Sequence, residues 1–321
     1  MDDFDLPEEL IAQEPVTPRD NSRMMVVKDK IYHNHFYDII DYLETGDCLV
    51  INNTKVKKAK LCGEKSTGSA VEVILSKKIS ETRYVCRVKT RNPEVGNIYL
   101  FDGLKGKVVE RDEALFTIEF NKPPNDLSLP IPPYVNQLKD ESKYQTVFCE
   151  KNGSLASPTA GLHFTPELID KIQKKGIDIV PITLNIDFAT FLPVVNIDNH
   201  IMHTEEFEVP EHTARKINNR KGRLIVVGTT SLRTLESSVD ANGDIVAQKG
   251  KTNLFITPGY NFKTKPDILL TNFHFPKSTL LMLVSAFAGK KRISDAYKEA
   301  TNKRYRFYSL GDCMLLYPKQ T

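Results

Sequence analysis

No stretch of this 321-residue chain is apolar for long enough to cross a bilayer: the longest runs, such as Leu280 to Ala288, fall well short of the roughly 20 residues a span requires. The opening Met1-Asp2-Asp3 is acidic where a signal peptide would be basic. Both absences predict a cytoplasmic protein with no membrane partner. Also missing are a GxxxxGK(S/T) phosphate loop, a GxGxxG fingerprint, a GxSxG nucleophile elbow and a HEXXH zinc helix. Those absences weigh against a nucleotide kinase, a nicotinamide dehydrogenase, an ordinary hydrolase and a zinc protease. The cysteines, Cys48, Cys62, Cys86, Cys149 and Cys313, are odd in number and contain no CxxC pair, so buried free thiols are expected rather than a metal or redox centre. A net charge of +3 is too small for bulk electrostatics to demand a nucleic-acid partner, although local patches would still neutralise phosphates.

What is present is the mixture of an ordinary globular protein, 40% apolar and 26% charged, in a chain longer than one hydrophobic core usually fills. Two domains are expected. Early in the chain come a short strand at Met24 to Val27, a helical pattern of Tyr37, Ile40 and Leu43 ending at Gly46, and a buried strand Cys48 to Ile51. From about Lys58 to Phe120 the apolar period becomes two, in short segments such as Tyr84 to Val88 and Leu115 to Phe120, which suggests a small antiparallel barrel. Past the proline-rich Leu129 to Pro133, strand and helix alternate. Thr165 fits an N-cap, Pro166 the first helical position and Gly176 the left-handed end, with a strand Ile177 to Leu184 following. Two more such units begin at Leu224 and Ile268. The reading is an α/β fold: a mixed, parallel-rich sheet with helices on both faces, formed by 1–57 and 151–321, interrupted by a small antiparallel β-barrel insertion at 58–150.

In open α/β sheets ligands bind beyond the carboxyl ends of the strands, which directs attention to three loops. Gly228, Thr229, Thr230 and Ser231 bring a glycine, three hydroxyls and a helix N-terminus together, a place for a carboxylate or ribose hydroxyl, with Arg233 available for a bidentate contact. Alternatively the hydroxyls cap the helix and Arg233 forms an ion pair. Pro158-Thr159-Ala-Gly161-Leu-His163 has small residues that admit a ligand close to backbone, then an imidazole. Asn272-Phe-His274 repeats that logic at another strand end. Each histidine has a packing alternative. His200 with His203 and His33 with His35 lack a thiolate or carboxylate at a familiar metal spacing, so no metal site is expected. Asn53, Lys55, Lys57 and Lys58 follow the buried strand as a polar, basic run, either a solvated face or a set of phosphate contacts.

Nine segments in register extend this reading. They include Leu6 to Ala12, Asn52 to Val56, Tyr144 to Phe148, Pro158 to Phe164, His200 to His203, Val227 to Ser237, Thr271 to Pro276, Ser278 to Gly289 and Tyr305 to Asp312. Through them the sequence resembles the S-adenosylmethionine:tRNA ribosyltransferase-isomerase family of queuosine biosynthesis over nearly its whole length. It departs at Leu184-Asn-Ile-Asp-Phe-Ala-Thr-Phe191, where a family histidine and two glycines are replaced by Asn185, Asp187 and Ala189. The resemblance implies that the ribosyl group of S-adenosylmethionine passes to 7-aminomethyl-7-deazaguanine at the tRNA wobble position, giving epoxyqueuosine with release of adenine and methionine. It implies a tRNA anticodon loop and S-adenosylmethionine as partners and no cofactor, since S-adenosylmethionine is consumed; a monomer is expected. On this reading His163 and His274 carry protons as catalytic residues. Thr159, Gly161, Gly228, Thr229, Thr230, Ser231, Arg233 and Asn272 hold substrate, and Asn53, Lys55, Lys57 and Lys58 meet RNA. Two other readings are a methyltransferase, disfavoured by the absent glycine-rich loop, and a tRNA-binding protein that has lost activity, favoured by the altered 185–189 segment.

Overall fold

The structure, a computed structural model, describes residues 4, 6–136, 138–187 and 202–319. The chain divides into two compact units, Met1–Lys55 with Ile131–Thr321, and Val56–Pro130.

The larger unit is built on a nine-stranded mixed sheet. Its middle is parallel, in the spatial order Asp178–Leu184, Cys48–Asn52, Leu224–Val227, Ile268–Asn272. Cys313–Leu316 then runs antiparallel to Ile268–Asn272, with Arg23–Val27 parallel to it and Ile31–His35 antiparallel at the edge. On the other flank Glu205–Val209 and Gln248–Thr252 add antiparallel strands. The central strands are apolar along most of their length because both faces are covered. Their period of two sorts them into two cores: Cys48, Val50, Leu224, Val226 and Leu269 pack with the helices Glu211–Asn218, Thr229–Glu236, Thr279–Ala288 and Lys290–Asn302. Leu49, Ile51, Ile225, Val227 and Leu270 face the opposite way, onto Leu168 and Ile172 of the helix Pro166–Lys174.

Local signals place that last helix as expected. Thr165 caps it by accepting from the Leu168 amide, Pro166 opens it, and Gly176 follows with φ of 81°. The early helix differs: Phe36–Tyr42 is a 3-10 helix whose buried face is Phe36 and Ile39, with Tyr37 exposed. The spacing of three between Tyr37, Ile40 and Leu43 is the 3-10 period, and the inward face lies one residue earlier than the pattern suggested.

The smaller unit is a closed barrel of six antiparallel strands, Lys60–Lys65, Ala70–Lys78, Arg83–Lys89, Ile98–Phe101, Leu104–Asp112 and Leu115–Phe120. Val73, Cys86, Tyr99, Phe101, Val108 and Ile118 fill it. The segment 131–150, expected to belong with the barrel, groups with the larger unit instead. There the Tyr134 hydroxyl meets Ser309, Arg19 donates to the Gln145 carbonyl at 2.7 Å, and Tyr144 is fully buried. All five thiols are free, but Cys62 is exposed and Cys149 half-buried, against the expectation of burial throughout. Cys62 alternates outward on its barrel strand.

Candidate active site

The carboxyl ends of the parallel strands open into a cavity with about 690 Å³ of atom-free space, its open mouth included. Each wall follows from the topology. The Leu224–Val227 strand delivers Gly228, Thr229 and Thr230; Ile268–Asn272 delivers Thr271, Asn272 and His274. Because Cys313–Leu316 runs antiparallel, it is the approach to that strand, Tyr308-Ser309, that closes the third side.

Gly228 takes φ of 90°, a conformation costly for any residue with a Cβ, and this turns the chain directly from strand into the Thr229–Glu236 helix. No side chain caps that helix, so its first amides are left for a ligand. The lining also holds an aromatic wall. Phe275 and Tyr308 stack with centroids 3.6 Å apart and planes at 22°, and Tyr134 packs against both at 4.9 and 5.2 Å. Tyr308 holds φ of 69°, which sets its ring and carbonyl at a tight turn closed by the Gly311 amide.

Of the residues singled out from sequence, Thr159, Gly228, Thr229, Thr230, Asn272 and His274 line this cavity. The others stand behind it. Gly161 serves close packing: a Cβ there would lie 2.6 Å from the Phe148 ring. The Ser231 hydroxyl donates to the Val227 carbonyl at 2.6 Å, at the end of the preceding strand. Arg233 does not line the cavity; it is buried in an ion pair with Glu205 and donates its Nε to the Leu254 carbonyl at 3.0 Å, with Nη2 left without a partner among the described residues. His163 is buried against Phe36, with Nδ1 2.8 Å from the Ser22 hydroxyl and Nε2 accepting from Asn272 Nδ2 at 3.3 Å. It reaches the cavity only through Asn272.

His274 lies in the wall, its Nε2 2.8 Å from the Thr271 hydroxyl and its amide donating to the Tyr297 hydroxyl at 2.7 Å. Burial pushes both imidazoles down to about 3, so each is neutral near pH 7. For His163 the nearby Arg306 and Arg19 push the same way.

The basic run separates. Asn53 is buried with both ends of its amide engaged, accepting from Thr183 at 2.7 Å and donating to Glu150 at 3.1 Å, which removes it from RNA contact. Lys55 is exposed in the larger unit; in the barrel unit Lys58 is exposed and Lys57 donates to the Ser76 carbonyl at 3.1 Å. His33 bonds the Tyr305 hydroxyl and His35 stacks on Tyr37, while His200 lies outside the described residues. At the family departure, Asn185 Oδ1 accepts from the Thr54 hydroxyl at 2.9 Å and its amide covers Gly153, where a Cβ would come within 2.6 Å. The next residue, Ile186, lines the cavity; Ala189 lies outside the described residues.

Sequence reasoning missed Ser157, Tyr134, Phe275, Tyr308 and Ser309 in the lining. Ser157 directly precedes the Pro158 segment, and Tyr308 lies within one of the nine matching segments; those positions were the available signals.

A cavity at the ends of parallel strands, lined by both an uncapped helix start and an aromatic cluster, is the site of an α/β enzyme for a ligand part polar and part planar. The chain belongs to the queuosine biosynthesis protein family, whose sequence profile matches residues 2–316. It is 44% identical over 335 residues to the S-adenosylmethionine:tRNA ribosyltransferase-isomerase of Desulforamulus reducens, and 46% identical over 334 residues to that of Clostridioides difficile. Each alignment covers 98% of both chains. The solved structure of S-adenosylmethionine tRNA ribosyltransferase from Thermotoga maritima is 38% identical, with a TM-score of 0.57 and 98% coverage of both chains.

Proposed function

We propose that this enzyme transfers and isomerises the ribosyl part of S-adenosylmethionine onto the aminomethyl group of 7-aminomethyl-7-deazaguanine at the tRNA wobble position, producing epoxyqueuosine and releasing adenine and methionine. The observation that carries the reading is a cavity whose lining combines an uncapped helix start, with Thr229 and Thr230, and the aromatic cluster of Tyr134, Phe275 and Tyr308. The helix start suits the methionine carboxylate or the ribose hydroxyls, the aromatic cluster a purine.

The sulfonium acidifies the C5' protons. Loss of one gives an ylide, adenine leaves with a proton, the base amine attacks C1', and closure of the epoxide ejects methionine. His274 is the group in the wall placed to carry a proton between these steps. Burial keeps this imidazole neutral near pH 7 and also makes it a weak base, so any proton it takes is readily passed to departing adenine. S-adenosylmethionine is consumed, and no metal or prosthetic group takes part. The wobble base must be splayed out to reach the cavity, and exposed Lys55 and Lys58 supply phosphate contacts. Part of the same proposal is that the enzyme acts in the cytoplasm as a monomer; among the described residues no helix is long and apolar enough to cross a membrane.

The test incubates the protein with S-adenosylmethionine and an anticodon stem-loop bearing the 7-aminomethyl-7-deazaguanine base, following products by mass spectrometry. Equal amounts of adenine, methionine and epoxyqueuosine-containing RNA are expected. S-adenosylhomocysteine, or bound RNA with no products, would overturn the proposal.

A further inference from the structure

Two polar atoms in the cavity wall are buried and have no hydrogen-bond partner among the described residues, Asn272 Oδ1 and Ser157 Oγ. Their residues are 3% and 4% exposed. Buried polar atoms are almost always paired, so two orphans lining one cavity mark where a ligand completes the network.

The direction of the Asn272 amide is fixed by what surrounds its other end. Nδ2 lies 3.1 Å from the Tyr308 carbonyl, 3.4 Å from the Asp312 carbonyl and 3.3 Å from His163 Nε2. Both carbonyl oxygens can only accept, so the NH2 end must face them and Oδ1 is left as the unpaired end. With Nε2 accepting, His163 carries its proton on Nδ1 and donates it to Ser22. A neutral imidazole is what this arrangement requires, since a protonated ring would set a second donor against the Asn272 NH2. Burial keeps it neutral.

We infer that Asn272 Oδ1 and Ser157 Oγ accept hydrogen bonds from the exocyclic amine of the S-adenosylmethionine purine, and that His163 is the positioning residue that keeps the acceptor end of Asn272 turned to the ligand. This rests on the proposed use of S-adenosylmethionine. Among the described residues the cavity lining includes no Asp, Glu, Lys or Arg, so the complement of the Asn272 acceptor is a neutral donor rather than an ammonium group. Asn272 is tied to the Tyr308 carbonyl, and the Tyr308 ring belongs to the aromatic wall; the acceptor therefore sits on the side that stacks a planar base. A 6-oxo purine would place an acceptor against Asn272 Oδ1 and leave that pair unmatched, whereas the Ser157 hydroxyl could turn to donate to it.

Binding of S-adenosylmethionine and of its 6-oxo analogue, S-inosylmethionine, is compared by calorimetry without RNA. The wild-type protein should prefer the amine at least tenfold. Ser157→Ala should weaken binding of both ligands threefold or more without lowering the melting temperature, because the lost hydroxyl has no partner among the described residues. His163→Leu should lose the preference, and His163→Gln, which can still accept from Asn272, should recover it. A wild-type preference under twofold, undiminished binding in Ser157→Ala, or full preference in His163→Leu would overturn the inference. Amine selectivity without turnover in the RNA assay would remove the ribosyl transfer and leave the recognition standing; turnover without selectivity would do the reverse.

Discussion

The cavity wall and the layer directly behind it are made from the same three loops, yet they treat polar groups in opposite ways. In the wall, Asn272 and Ser157 keep atoms without protein partners. Behind it, Ser231 bonds the Val227 carbonyl at the end of the preceding strand, Arg233 pairs with Glu205 and keeps one unpartnered nitrogen, Nη2, and His163 is held between Ser22 and Asn272. A group already satisfied by protein contributes to stability and orientation, whereas one left unsatisfied is available to substrate. Substitutions in the two layers should therefore separate, behind the wall in stability and in the wall in activity.

The largest effect is expected behind the wall. Arg233→Leu leaves Glu205 buried without its cation and should cost about 3–5 kcal/mol in denaturant unfolding, while KM for S-adenosylmethionine changes less than threefold. Arg233→Leu with Glu205→Leu should recover much of that loss, since an apolar pair of similar volume removes both charges. A tenfold rise in KM with unchanged stability would place Arg233 at the substrate and erase the distinction. Next is His274→Ala, with kcat down at least a hundredfold, about 2.7 kcal/mol of transition-state stabilisation, in a protein that still binds S-adenosylmethionine. A loss under threefold would remove His274 from proton transfer.

The pH dependence tests burial in both layers together. Each imidazole lies at about 3 in the folded protein against an ordinary 6.5, so the unfolded chain binds protons first as pH falls. Their contribution is intact above about pH 6.5 and is lost progressively towards pH 3, reaching up to about 2 kcal/mol for each by pH 5. Urea melts at pH 7 and pH 5 measure it, and replacing either histidine with Gln should remove one share of the slope. A slope unchanged in His163→Gln would show that the layer behind the wall is open to water.

Much of this was legible before the fold was known, and the limit has a physical form. Chemistry within a few residues was readable: Thr165, Pro166 and Gly176 bound their helix, and the strands beginning at Leu224 and Ile268 end at the cavity. Depth was not. Arg233 follows Thr229 by one helical turn, a spacing that puts both on one face, but the helix runs inward and its second turn meets Glu205, from a strand on the sheet's flank. Asn53 looked like part of a basic surface because its neighbours are lysines, whereas Thr183 and Glu150, far along the chain, enclose its amide. The edge strand Gln248–Thr252 has no apolar alternation to detect. Tyr308 joins the wall only because Cys313–Leu316 runs against its neighbour, a pairing that local patterning does not specify.

The smallest and sharpest test contrasts two threonines on one helix. Thr230 lines the cavity, and Thr234, one turn on, donates to the Thr230 carbonyl at 3.0 Å from a buried position. Valine preserves the shape of either residue and removes only the hydroxyl. Thr230→Val should raise KM for S-adenosylmethionine three- to tenfold, about 1 kcal/mol, and change stability by less than about 0.5 kcal/mol. Thr234→Val removes a donor from a carbonyl that the helix already engages, so about 1 kcal/mol of stability is expected to go with no change in KM. If both variants raised KM alike, the cavity would extend a full turn deeper along the helix, and Arg233 would return as a substrate contact.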